Sequence, residues 1–243
     1  MHRTLFAARV SLALSLTLAA RATSAAQRAP ADGQAFHAIM LTTGMATMSV
    51  DPLNARLLPS QFASLSNDAV SYGGAGYFAI GRALLGAEAQ RSTFGEEGLN
   101  NGRSNSLASM QALATVGYAV VSREHLSIFP ELGVGLGRVE VTLRDRGGAS
   151  ASAATPTFDE VAQAPGDESR MDGRHLLYSF GGGADALVTR PGAAAGVVIG
   201  LRAGLAASPN RATWTRNGAR VVSGPDVGAG GPYLRIVVGL GAR

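Results

Sequence analysis

The stretch GAAAGVVIGLRAGLAAS, residues 192–208, separates into two rows when every second residue is read. Ala195, Val197, Ile199, Leu201, Ala203 and Leu205 form one row, all apolar. Ala194, Gly196, Val198, Gly200, Arg202, Gly204 and Ala206 form the other, mostly tiny, with a single guanidinium. Successive side chains of a strand point to opposite faces. One face here is therefore greasy and the other close to empty. A half-solvated sheet would put many polar side chains on its wet face. Glycine with isolated charge suits a narrow closed interior instead, and the apolar row then faces outward.

The same pattern recurs along the chain. Alternating or β-rich runs mark eight candidate strands, at about 35–50, 73–81, 83–93, 107–121, 126–143, 174–189, 194–207 and 231–241. Most exceed the usual length of strands in soluble proteins and match the length of strands that cross a bilayer. The connections alternate long and short, with the long ones at 51–72, 94–106, 144–173 and 208–230. That is the loop pattern of an up-and-down barrel in an outer membrane. The expected fold class is an all-β, eight-stranded antiparallel up-and-down transmembrane β-barrel.

The outward rows would hold Leu126, Ile128, Leu132, Val134 and Leu136, then Leu176, Tyr178, Phe180, Ala184 and Val188, then Leu234, Ile236, Val238 and Leu240. The inward rows would hold Gly133, Gly135, Gly137, Ser179, Gly181, Gly183, Gly239 and Gly241, with occasional charges. The first strand alternates poorly, because Ile39 and Leu41 share a face with His37 and Thr43; a bulge is expected to shift its register. Aromatic residues make up only 6% of the chain, so the girdle must come from Tyr72, Tyr77, Phe78, Tyr118, Phe129, Tyr178, Phe180 and Tyr233.

The chain opens with Arg3 and Arg9, an apolar core from Val10 to Ala20, and small residues from Ala22 to Ala26. This is the order of a secretory signal peptide, read as residues 1–26, with the barrel in 27–243. Every one of the 21 basic residues is Arg, against 17 acids. Three of those Arg precede residue 27, which leaves a nearly neutral remainder with dispersed charge and no electrostatic footprint for nucleic acid. The absence of Cys removes disulfides and thiolate metal sites together.

Leader, long alternating strands and loop alternation together resemble the small outer-membrane barrels, the OmpA- and OmpX-like group, over about Ala35 to Arg243. One departure is the ending VVGLGAR, which lacks the terminal aromatic residue often read by the assembly machinery of that group. The resemblance implies a non-enzymatic barrel in the outer membrane of a Gram-negative-type bacterium, with a structural or surface-interaction role. It implies outer-membrane lipid, lipopolysaccharide and the barrel-assembly machinery as partners, and a monomer without cofactor or metal.

Glu88, Gln111, Glu131, Asp185, Arg202 and Arg235 share the inward parity. Buried charge must be paired, so these residues are expected to form a polar cluster across the lumen that sets strand register. His125-Leu126-Ser127, with Glu131 near, has the His-x-Ser spacing of barrel lipid A deacylases; the alternative it raises is a barrel enzyme acting on outer-membrane lipid. No catalytic residue is assigned, because His125 falls in a short turn at the end away from the long loops. Gly133–Gly137 has period two inside a strand and lacks the context of a nucleotide loop. A further alternative is a soluble periplasmic barrel that hides the Val197 and Leu234 rows around an apolar ligand.

Among the loops, Leu53, Leu57, Leu58, Phe62 and Leu65 fall at helical spacings after Asp51-Pro52, a cap and first turn for a short helical lid. Residues 144–173 are poor in apolar residues and read as a mobile, solvated loop. In the last loop, near Trp214, Arg211, Arg216 and Arg220 are candidates for contact with lipid phosphate.

Overall fold

Alternation makes the strands long, and glycine lets them close on themselves. The structure is a computed structural model that describes residues 36–242 except 101, 124, 152, 191–192 and 229, with the backbone alone for 95–100. The expected leader, 1–26, lies outside the described residues. The elements are β1 (Phe36–Thr47), α1 (Asp51–Leu57), β2 (Asp68–Ile80), β3 (Ala83–Asn100), β4 (Arg103–Tyr118), β5 (Val121–Arg123) and β6 (Leu126–Asp145). They continue with α2 (Phe158–Gln163), β7 (Ser169–Thr189), β8 (Ala195–Ala207), β9 (Thr213–Arg216), β10 (Ala219–Arg220) and β11 (Pro232–Ala242).

Eight of these strands pair in a ring, β1-β2-β3-β4-β6-β7-β8-β11, and β11 returns to β1. Every pairing in the ring is antiparallel. Closure leaves no ring strand with an unpaired edge, which is what allows a sheet to stand in hydrocarbon. The fold is an eight-stranded transmembrane β-barrel. β5 folds back on the base of β6, and the β9–β10 hairpin extends β7 upward beyond the end of β8.

The outward row is apolar from strand to strand and exposed. Leu136 is 68% exposed and Ile80 is 65% exposed, and Leu41, Phe180, Ile199, Val238 and Leu240 are similarly bare. A continuous apolar belt of this extent does not occur on a soluble monomer. The Val197 and Leu234 rows belong to this belt, so the soluble alternative that buries them is overturned.

Inside, the glycines answer a demand for space. A Cβ on Gly135 would lie 1.9 Å from the Ala112 carbonyl oxygen, and one on Gly200 would lie 2.0 Å from Asp185 Oδ1. At Gly137 that space is taken by the His175 ring.

Four expectations need correction. β1 carries no bulge: it pairs in unbroken register with both β2 and β11, so His37 and Thr43 stand in the outward row with Ile39 and Leu41. The 94–106 loop is largely strand, because β3 and β4 continue to a tight connection with Gly102 at φ +82°. Polar residues above the lipid still make ladder hydrogen bonds, so their strands outrun the alternation that marks a lipid face. Three supposed girdle residues, Tyr77, Phe129 and Tyr233, point inward and are buried. The fourth correction concerns 144–173, where β6 runs on to Asp145, β7 begins at Ser169, and α2 buries Phe158, Val161 and Ala162 completely.

Candidate functional site: a filled lumen under a folded cap

The barrel interior is stacked in layers. Nearest the short turns, Ala38, Met40, Leu84, Phe129, Leu187, Val198 and Val237 form an apolar plug. Above it lies the polar layer that the inward charges forecast. Arg202 bonds Asp185 at two points, Nη1 to Oδ1 at 2.6 Å and Nη2 to Oδ2 at 2.8 Å. Tyr77 Oη donates to the same Oδ2 at 2.7 Å, and the Arg202 guanidinium lies 4.7 Å from the centre of the Phe129 ring. Arg235 Nη1 reaches both oxygens of Glu88, at 3.1 and 3.2 Å, and its guanidinium covers the Tyr233 ring at 4.1 Å. The Tyr233 and Ser179 hydroxyls meet at 3.1 Å, and Thr42 Oγ1 donates to Gln90 Oε1 at 2.8 Å.

The six expected lumen residues therefore divide. Four form two ion pairs, Glu88–Arg235 and Asp185–Arg202. Glu131 shares the inward face without an ion pair among the described residues. Gln111 lines a cavity of about 10 Å³ with Ser92, Ser109, Tyr233 and Arg235, room for roughly one water. Sequence reading missed Tyr77, Thr42 and Tyr233, and it placed Gln90 and Ser179 on the inner face without their partners. Parity held the signal: Tyr233 is two residues from Arg235, and Tyr77 stands in the same row as Gly73 and Ala79.

The arrangement neutralises charge in place. Each Arg is nearly enclosed, each faces a carboxylate, and each stacks on an aromatic face. That is the way to hold guanidinium groups in a low-dielectric interior without leaving charge unpaired. A lumen filled like this is a core, as an eight-stranded barrel is narrow enough to require.

The His-x-Ser spacing does not assemble into a catalytic group with Glu131. His125 is exposed in the turn below β6, while Ser127 and Glu131 climb the inner face. Roughly six residues of strand separate His125 from Glu131, about 20 Å along the chain.

Above the barrel, the loops build a second hydrophobic core. Val50, Leu53, Leu57, Phe62 and Leu65 from the first loop pack with Phe94, Leu107, Val139, Val141, Leu143 and Met171 from the tall strands. Phe158, Val161, Trp214, Val221 and Val227 complete it. Pro52 opens α1 as expected, but Val50, not Asp51, is the N-cap, and no side chain caps it. Asn54 instead ties the loop closed, bonding both the Leu65 amide and its carbonyl. Arg103 on β4 clasps the loops together through Asp145, the Ser60 carbonyl and the Gln163 carbonyl. Arg56 of α1 pairs with Asp159 of α2.

Of the three loop arginines, Arg216 is used within the cap, donating to the Ala151 carbonyl and to Ser150 Oγ. Arg211 is 89% exposed with Asp226 at 3.7 Å, and Arg220 is exposed on the β9–β10 hairpin. Trp214 between them is buried and donates from Nε1 to the Pro225 carbonyl at 2.9 Å.

No protein-family model and no curated protein matches the chain. Among solved structures, the barrel is similar to Neisserial surface protein A, at 12% identity and a TM-score of 0.41, covering 86% of this chain and 97% of that one. It is equally similar to Ail, the attachment invasion locus protein of Yersinia pestis, solved with the heparin analogue sucrose octasulfate: again 12% identity, a TM-score of 0.41 and the same coverages. The translocator domain of the autotransporter NalP from Neisseria meningitidis aligns over the whole of both chains at 11% identity and a TM-score of 0.31.

Proposed function

We propose that this chain is a non-enzymatic outer-membrane β-barrel protein whose role is structural or one of surface interaction, carried by the folded cap that it holds above the lipid. The observation that supports this reading is the combination of an apolar belt outside with a lumen filled by paired charge and packed side chains inside. Such a barrel is an anchor rather than a conduit. What it presents to the surroundings is the cap of α1, α2 and the β9–β10 hairpin.

The test is gel mobility of the outer-membrane fraction in detergent, with and without boiling. A closed barrel resists the detergent until heated, so the expected result is two different mobilities. Identical mobilities, with the protein in the soluble periplasmic fraction, refute the reading.

A further inference from the structure

The apolar belt ends abruptly on its loop side. Along the outward face of β6 the row runs Leu132, Val134, Leu136 and then Arg138; along β7 it runs Phe180, Tyr178, Leu176 and then Arg174. Arg138 and Arg174 are direct register partners. Continuing the same row, Arg138 pairs with Met110 on β4, and Met110 pairs with Arg91 on β3. The Arg91 guanidinium lies along Met110, with Nη1 3.7 Å from Sδ, and Tyr72 faces Arg91 from β2. The first charged row above the belt is therefore basic on three strands.

Two like charges facing each other across an antiparallel pair destabilise the sheet unless something neutralises them. The nearby acids do this only in part. Arg138 places Nε and Nη2 on one oxygen of Asp172, at 2.8 and 2.6 Å. Glu140 is engaged by Arg170. Arg174 is exposed and has no ion pair among the described residues. In this patch Arg91, Arg138, Arg170 and Arg174 outnumber Glu140 and Asp172, and the surplus positive charge sits at the edge of the lipid. Phosphate is the anion found at that depth, and the guanidinium fork matches it. Tyr178, just inside the edge, marks the same boundary as an interfacial aromatic.

We propose that Arg91, Arg138 and Arg174 form a site on the outer wall of the barrel for the phosphate of an outer-leaflet lipid. The proposal rests on the outer-membrane reading above. It places lipid contact on the β3–β7 wall and leaves the exposed hairpin arginine Arg220 outside it.

The probe is bisphosphorylated lipid A, titrated into detergent-purified full-length protein and counted by native mass spectrometry. Wild-type protein is expected to retain it at a concentration lower by at least about tenfold than Arg91→Gln/Arg174→Gln, since each guanidinium removed takes at least one charge-assisted hydrogen bond with it. Arg220→Gln should retain it as the wild type does, and excess inorganic phosphate should not displace it. Equal retention by the double variant overturns the site. So does equal retention of dephosphorylated lipid A, and displacement by inorganic phosphate shows a free-phosphate site instead. Heat-dependent mobility of the same samples separates the two readings. A preserved mobility shift with unchanged retention removes only the lipid site, whereas loss of the shift in wild-type protein removes the barrel reading as well.

Discussion

Arg202 and Asp185 face each other inside the barrel as a two-point pair, 8% and 4% exposed at their side chains, with Tyr77 donating to the same carboxylate. Removing one partner leaves a charge in a closed interior. Asp185→Asn is therefore expected to cost about 3–5 kcal/mol, and Arg202→Met a similar amount. The double variant Asp185→Leu/Arg202→Met should cost clearly less than the sum, since no charge is then stranded. Urea unfolding of the protein refolded into phosphatidylcholine vesicles measures all of these. Additive losses would mean that the pair is not coupled.

Glycine on the two faces of the wall should respond oppositely to the same change. A Cβ at Gly135 would meet the Ala112 carbonyl oxygen at 1.9 Å, so Gly135→Ala must displace backbone and is expected to cost about 1–3 kcal/mol or to block closure. At Gly74, on the lipid face, the nearest atom is the Met40 carbonyl oxygen at 3.5 Å. Gly74→Ala should be neutral or stabilise by several tenths of a kcal/mol, because the unfolded chain loses freedom. Heat-modified mobility against temperature ranks the two variants, and destabilisation by both would contradict the difference between faces.

How far the sequence showed this follows from the same two faces. The ring, its loop polarity and the inward placement of Glu88, Glu131, Asp185, Arg202 and Arg235 were legible, because period two is imposed wherever lipid lies on one side and a tight lumen on the other. Legibility stopped where lipid stops. Above Leu136 and Leu176 the outward side chains turn polar while backbone pairing continues, so β3, β4 and β7 run further than their alternation. The cap was opaque for another reason. Phe158, Val161 and Trp214 are scattered among small and charged residues, and only tertiary packing with Leu53 and Leu57 collects them into one core. Pairing partners were hidden as well: parity places Glu88 and Arg235 inside, but only the closed ring brings strands 147 residues apart into contact.

Trp214 is the single tryptophan, buried in the cap core against Phe158, with ring centres 5.6 Å apart. Its fluorescence therefore reports the cap and not the barrel. Phe158→Ala should cost the cap about 3–5 kcal/mol. The expected outcome is a red-shifted emission and rapid proteolysis between residues 146 and 168, with unchanged heat-dependent mobility. A coincident loss of mobility shift would show that cap and barrel unfold as one unit.

The last prediction concerns acid. α2 begins with a capping box: Thr157 Oγ1 accepts from the Glu160 amide at 3.2 Å, and Glu160 Oε2 accepts from the Thr157 amide at 2.7 Å. The hydrogen bond from the Thr157 backbone amide first, and the Thr157 side chain second, hold the Glu160 carboxyl below the ordinary glutamate range. A folded value below the unfolded one means that the contribution is complete above the unfolded value, about 4.3, and disappears as pH falls through the folded value. Because Phe158 of α2 packs on Trp214, loosening of the helix start should reach the fluorophore. Wild-type emission is expected to hold steady from about pH 7 to about 5 and to shift red below about 4. In Glu160→Ala that part of the acid shift should vanish, leaving a cap slightly loosened at every pH. Thr157→Ala removes the other half of the box and should cost about 1 kcal/mol even at neutral pH. An identical acid profile in wild type and Glu160→Ala would show that another carboxylate governs the opening of the cap.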